Sequence, residues 1–374
     1  MSAAPPRGWR RVLDAYSEPR QLAILFMGFS SGLPLALTAG TLSIWLAESG
    51  LKLGSIGLFS LVAVSYSLKF FWAPVIDRLP LPFMTRWFGR RRGWVLVLQV
   101  ALAFAILGMG MTDPAVDPSR TALFAVIVAF LSASQDIVID AYRIELLTAE
   151  QQGAGAAATQ WGYRFGMIAA SAGALYAAAY GGWHFAYSVM AALMGVGIVT
   201  VLLTPEPSGT ALAPLTGSTR HKIIEWLKMA VVAPFRDFLS RRGWLAIMLF
   251  IVLYKFGDAL AGVMAGPLYI SLGFAKTEIA AISKVFGVIA TLVGLALGGA
   301  VVARWGLFRA LLICGILQNV STLMYAVLAH AGHDNSVLAL SILLENVTGG
   351  LGSAAFVAFI SQLCRIEFTA TQYA

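Results

Sequence analysis

Ten stretches of mostly apolar residues, each about 20 residues or longer, run through this chain at roughly 21–46, 55–76, 93–112, 121–142, 157–180, 184–203, 244–270, 279–303, 307–329 and 337–363. About 20 helical residues rise about 30 Å, the thickness of a bilayer's hydrocarbon core. Runs of this length exclude barrel strands, which need only about 10 residues and alternate in polarity. The composition agrees: 59% of the 374 residues are hydrophobic and 12% are charged, whereas a soluble domain carries about 25% charge. Too little polar surface remains to coat a water-soluble body. The expected fold is an all-α polytopic membrane protein.

The formal net charge of +8 follows from the loops. Segments 1–20, 77–92, 143–152, 204–243, 304–309 and 364–374 carry nineteen Lys and Arg, and the opposite set carries only Lys52, Arg120 and Lys276. Basic loops stay cytoplasmic, so the N-terminus is expected inside. The same count accounts for the basic balance without nucleic acid. Cys314 and Cys364 are too few for a disulfide framework and read as reduced structural thiols.

The 204–243 segment opens Pro205, Pro207, Ser208, Gly209, then turns helical. Over His221–Phe238, Ile223, Ile224, Leu227, Val231, Phe235 and Phe238 oppose Lys222, Glu225, Lys228 and Arg236. That pattern predicts an amphipathic helix on the membrane surface. It divides a six-span bundle (1–203) from a second bundle (244–374) across a linker (204–243). The halves repeat at an offset of about 222–224: Leu25-Phe26 matches Leu249-Phe250, and Arg143-Ile144-Glu145 matches Arg365-Ile366-Glu367. Two six-helix halves joined by a long loop are the architecture of a major facilitator transporter. The repeat places the end of a twelfth span near residue 425, so the chain reads as a fragment whose second half lacks its last two helices.

Eight ionisable residues lie inside the apolar spans: Lys69, Asp136, Asp140, Arg164, Lys255, Asp258, Lys284 and Glu345. At about 2.5–3.5 kcal/mol each, exposure of all eight to lipid would cost roughly 20–28 kcal/mol. That exceeds a typical net stability of about 5–15 kcal/mol. They are therefore expected to face the bundle interior, a wet cavity, or one another. Asp136 and Asp140 are four apart on one helix face, with Arg143 three further on; Lys255 and Asp258 share another. Gln135 and Asp136 lie deeper than Asp140, which makes Asp136 the first choice for a proton-carrying carboxylate and Asp140 the second.

Glycine pairs Gly28 with Gly32, Gly162 with Gly166, and Gly294 with Gly298 predict close helix crossings. Gly28-Phe29-Ser30-Ser31-Gly32 matches the hydrolase pattern G-x-S-x-G, but inside a helix rather than at a strand-to-helix turn. There is no Walker loop, no H-E-x-x-H and no metal-ligand cluster in the sequence. Neither a cofactor nor a resident metal nor enzymatic chemistry is expected, and any pumping must draw on an ion gradient. Rings of one charge sign, which mark many channel filters, are missing from the sequence.

Several longer motifs stand in order along the chain: Gly32-Leu33-Pro34-Leu35-Ala36-Leu37-Thr38, Lys69-Phe70 with Asp77-Arg78, and Gly89-Arg90-Arg91-Arg92-Gly93-Trp94. They continue through Ser132-Ala133-Ser134-Gln135-Asp136-Ile137-Val138, Asp140-Ala141 and Gly162-Tyr163-Arg164. In the second half they include Leu253-Tyr254-Lys255, Gly257-Asp258-Ala259, Lys284 and Glu345-Asn346. In these motifs the chain resembles the AmpG family of muropeptide permeases within the major facilitator superfamily. The resemblance implies import of anhydromuropeptides across the bacterial inner membrane by proton symport, a link to β-lactamase induction, and a monomer. Related families of the superfamily import siderophores, which is the alternative cargo.

With such a cargo, Arg164, Lys255 and Lys284 are expected to meet substrate carboxylates, and Tyr66 and Trp161 to stack on sugar rings. Gln135, Asp258 and Glu345 complete the expected binding set. Asp77, Arg78, Gly89, Arg90 and Arg91 resemble the superfamily's gating motif. There the Asp latches against the eleventh helix, which by the repeat falls beyond residue 374, so Asp77 is expected to lack its partner.

Overall fold

The computed structural model describes residues 18–52, 55, 59–207, 232–274, 278, 282, 286–365 and 368–373. Lys284, and the 221–231 part of the expected amphipathic helix, lie outside the described residues. The described secondary structure is helical. In chain order it comprises α1 (Pro19–Thr38), α2 (Gly40–Glu48), α3 (Val64–Ser67), α4 (Ala73–Arg78), α5 (Met84–Phe88), α6 (Arg90–Gly110), α7 (Pro118–Leu146) and α8 (Gln152–Ile168). There follow α9 (Ala174–Leu193), α10 (Gly195–Leu203), α11 (Ala233–Leu239), α12 (Trp244–Ser271), α13 (Gly287–Trp305), α14 (Leu307–Thr322), α15 (Met324–Ala331), α16 (Asn335–Leu363) and α17 (Thr369–Tyr373).

Seven helical stretches among the described residues are long and apolar enough to cross a membrane. Two of the three differences from ten have identifiable causes, and the 244–270 run, helical as α12, is not among the seven. The 55–76 run is not one helix: two 3₁₀ turns, Ser60–Ala63 and Lys69–Phe71, alternate with α3 and α4. Pro74 has no N–H to continue the ladder, and the turns before it tighten to i→i+3 bonds, Phe71 N–H to Leu68 O and Trp72 N–H to Lys69 O. The runs at 157–180 and 184–203 are two helices that meet at Gly182 (φ 76°, ψ 173°), a conformation that glycine adopts without steric cost, and the continuous Gln152–Leu203 stretch counts them once.

The outward faces are apolar. On α14, Leu312, Ile316 and Val320 stand at helical spacing and are 54–66% exposed. A helix that is apolar on the outside as well as the inside suits a lipid surround.

The described residues group into two compact units. One holds 19–148 and 158–207 with 232–235, 364–365 and 368–373. Its core is two clusters, one around Leu33, Leu37, Trp45, Ile106 and Tyr187, the other around Ile24, Val95, Val138 and Tyr142. Within it α1 and α8 cross at their glycines. A Cβ on Gly162 would lie 1.9 Å from Leu25 O, and one on Gly32 would lie 2.1 Å from Tyr163 O. The other unit holds residue 18, 149–157 and 236–363. Here α13 and α16 cross in the same manner: a Cβ on Gly294 would lie 2.1 Å from Val347 O, and one on Gly350 would lie 2.5 Å from Thr291 O. The predicted glycine pairs thus mark two backbone-to-backbone contacts.

Candidate functional site

Pro34 starts the first site. It sits inside α1 and has no N–H, so the carbonyl of Ser30, four residues earlier, loses its helical donor. The side-chain amide of Gln135 on α7 donates to that carbonyl at 3.0 Å. Gln135 and Ser30 are fully buried, so the bond has no solvent competitor. The next residue of each helix repeats the link: the Ser31 hydroxyl donates to the Asp136 carboxylate. Asp136 is thereby fixed at the α1–α7 crossing.

Other groups converge on that carboxylate. Lys69 and Asp140 are the charged residues acting on it. The Tyr66 hydroxyl faces Thr38, Ser132 and Asp136. Tyr163 lies in the fields of Asp136, Asp140, Tyr66 and Arg164, and it reaches that position because Gly32 admits its backbone. Trp72 Nε1 donates to Ser134 Oγ at 3.0 Å, which holds the broken 60–78 segment against α7. Among the described residues, Lys69 and Arg164 form no ion pair. Asp140 pairs with Arg143 at 3.6 Å, as its spacing predicts. Trp161 packs edge-on against Phe165, with centroids 5.8 Å apart, and Arg164 is half-buried next to Tyr163. The sequence pattern did not single out Ser31 or Tyr163 as site residues; the polar Ser30-Ser31 pair inside an apolar helix was the available signal.

The second unit carries its own polar group. Lys255 Nζ donates to Asp258 at 2.9 Å and to Ser353 Oγ at 2.9 Å, and lies 5.8 Å from the centroid of the Phe356 ring. Tyr254 stacks parallel on Phe356 at 5.1 Å. Glu345 accepts from Asn346 Nδ2 at 3.1 Å and feels Asp258 and Tyr325. Asn346 Oδ1 accepts from Thr291 at 2.8 Å. Lys255, Asp258 and Glu345 are thus brought into one neighbourhood, with Ser353 and Phe356 as members that no sequence motif marked.

A third cluster lies at the 77–92 end of the first unit. Arg91 donates to Asp77 at 2.7 Å and to Glu145 at 2.5 Å and 3.1 Å. All three side chains are about 1% exposed. Arg90 donates to the Asp77 carbonyl at 3.1 Å. Arg78 stands apart from the ion pairs, its guanidinium 5.0 Å from the Phe368 ring. The expectation that Asp77 lacks its counterpart is overturned. Asp77 Oδ2 accepts from the backbone N–H of Thr371 at 3.2 Å and from its hydroxyl at 3.1 Å. Thr371 is in the first turn of α17, where backbone N–H groups have no helical acceptor and a carboxylate is favoured.

Glu206 is the member that sequence reading missed. Its carboxylate accepts from the backbone N–H of Arg91 at 2.8 Å and of Arg92 at 2.9 Å, which caps the start of α6. In return Arg92 donates to the carbonyls of Val201 and Leu202 at 2.9 and 3.0 Å, which caps the end of α10. Gly89 (φ 88°) makes room for it, since a Cβ there would lie 2.3 Å from Glu206 Cδ. Among the described residues no group of three or more His, Cys, Asp and Glu could hold a metal.

Residues 24–374 match the Major Facilitator Superfamily model. The chain is 44% identical over 366 residues to the anhydromuropeptide permease of Escherichia coli (strain K12), covering 97% of this chain and 72% of that protein. It is 35% identical to AmpG 4, a transporter of Rickettsia conorii, covering 97% of this chain and 87% of that protein. The fold is shared with the proton:xylose symporter XylE bound to 6-bromo-6-deoxy-D-glucose, at TM-score 0.63 and 14% identity over 98% of this chain and 84% of that one. It is shared also with a bacterial homologue of the iron transporter ferroportin, at TM-score 0.64 and 15% identity over 94% of this chain and 87% of that one. These relatives are named as permeases, symporters and transporters. The chain belongs to the AmpG family of membrane permeases within the Major Facilitator Superfamily.

Proposed function

We propose that the protein imports anhydromuropeptides across the bacterial inner membrane, with proton symport driving the uptake. The observation that carries the reading is Asp136: a buried carboxylate held by Ser31 and faced by Lys69, Tyr66 and Tyr163, in a chain 44% identical to a permease named for that cargo. A carboxylate in that setting can take up a proton and so lose its electrostatic attraction to Lys69, which couples protonation to the α1–α7 crossing. Asp140 stands one turn away as a relay. Gln135, Arg164, Lys255, Asp258, Lys284 and Glu345 supply the polar contacts for a cargo bearing carboxylates and amides, and Tyr66 and Trp161 supply ring faces for its sugars. Asp77, Arg78, Gly89, Arg90 and Arg91 form the gate. The excess of Lys and Arg in one set of loops supports a cytoplasmic N-terminus. Imported fragments then serve as the signal for β-lactamase induction, and the transporter acts as a monomer.

Uptake of labelled anhydromuropeptide into proteoliposomes under an imposed pH gradient tests the reading. Accumulation that collapses on adding a protonophore is the expected result. Accumulation that persists with the gradient dissipated would remove the symport. Displacement of the label by a siderophore, with no displacement by unlabelled muropeptide, would transfer the cargo to the alternative class.

A further inference from the structure

We propose that the turn between α4 and α6, with Phe83 and Trp87 at its tip, is an interfacial anchor that seats its aromatic pair among phospholipid headgroups and sets Arg86 on their phosphates. Phe83 is 76% exposed and Trp87 is 73% exposed. They are four apart and joined by the Trp87 N–H to Phe83 O bond at 3.1 Å, which holds the two exposed rings at one turn. Phe83 has φ 64° and is the one non-glycine residue with positive φ among those described. A bulky side chain in that region is held there by its surroundings rather than by preference.

The opposite side of the turn is pinned. Met84 packs on Gly93, whose Cβ would lie 3.2–3.3 Å from it. Leu81 N–H donates to Thr85 Oγ1 at 2.9 Å, and Trp94 Nε1 donates to Leu79 O at 2.8 Å. The aromatic pair is therefore presented outward by a fixed scaffold.

Depth and charge identify what it meets. The 21 residues of α6 rise about 32 Å, close to the hydrocarbon thickness. Arg90 then lies at the hydrocarbon boundary, with Trp87 three residues outside it, at headgroup level. Trp and Phe with a polar rim suit that layer. Exposed Arg86 sits between them in sequence and complements anionic phosphate. The anchor adjoins the Asp77–Arg91 pair through α5 and the start of α6, so lipid contact bears on the same turn that carries the gate.

The test uses the full chain with Cys364→Ser, which leaves only the buried Cys314, and a spin label at Trp87→Cys. The protein is reconstituted in phosphatidylcholine vesicles containing phosphatidylglycerol. The oxygen-to-nickel-reagent collision ratio is expected to be about threefold or more above that of the same label on free cysteine in buffer. Phe83→Cys should reproduce it, which guards against a local failure of one variant. Raising the phosphatidylglycerol fraction should further lower nickel access, and Arg86→Gln should abolish that dependence. Two results would overturn the proposal. A ratio equal to that of the free label would place the turn in water. A label shielded from both reagents would show a protein surface covering it.

Discussion

At the residue scale, the Asp136 site depends on one missing hydrogen. Pro34 removes the donor for Ser30 O, and Gln135 supplies another. A buried carbonyl left unpaired costs about 1–3 kcal/mol. Gln135→Leu should therefore lower stability in detergent by that amount. Pro34→Ala restores a backbone donor, so the double variant should lose less than the two single losses combined. Additive losses would show that the amide does not serve this carbonyl. Arg91 offers a second test. It is buried between Asp77 and Glu145, and breaking a buried ion pair costs about 3–5 kcal/mol. Arg91→Ala should show a loss of that size. Arg91→Lys should recover little of it, because an ammonium cannot reproduce the forked guanidinium contact. Full recovery with Lys would mean that only the charge matters.

At the element scale, close crossings hold the helices of each unit. Without water between lipid-facing helices, association rests on tight packing rather than on apolar burial. Gly162→Ala would drive a methyl into Leu25 O, with an expected loss of about 1–3 kcal/mol or more. Gly195→Ala, which meets nothing within 4 Å, should be neutral or gain up to about 1 kcal/mol from helix propensity. Thermal unfolding of the two variants checks the contrast; equal behaviour would remove the packing argument. These crossings were legible in sequence because small residues at a spacing of four have one common use inside an apolar helix. The bond between Asp140 and Arg143 was legible for the same reason of helical period. The break at 60–78 was not, since hydropathy records burial in lipid and is blind to the tightened turns before Pro74. Glu145, Glu206 and Thr371 were not legible as partners of Arg91 and Asp77 either. They meet them through folding back across 54, 115 and 294 residues of chain, a separation that no local pattern encodes.

At the scale of the whole molecule, the constraint is electrostatic. A chain with 12% charged residues places several of them inside spans that are otherwise apolar, and the described ones are paired, hydrogen-bonded or half-buried rather than turned to lipid. Depth and pairing could be anticipated from cost alone; the assignment of partners needed the fold. In the reading advanced here, Asp136 is the group through which a proton and the cargo exchange influence. Asp136→Asn separates that role from a merely structural one, since the amide keeps the Ser31 contact and loses the titration. The decisive measurement is transport by Asp136→Asn proteoliposomes, with exchange of labelled for unlabelled muropeptide at equal pH measured beside accumulation under a pH gradient. Exchange is expected to survive and accumulation to be lost. Gradient-driven accumulation at the unaltered protein's level would contradict it.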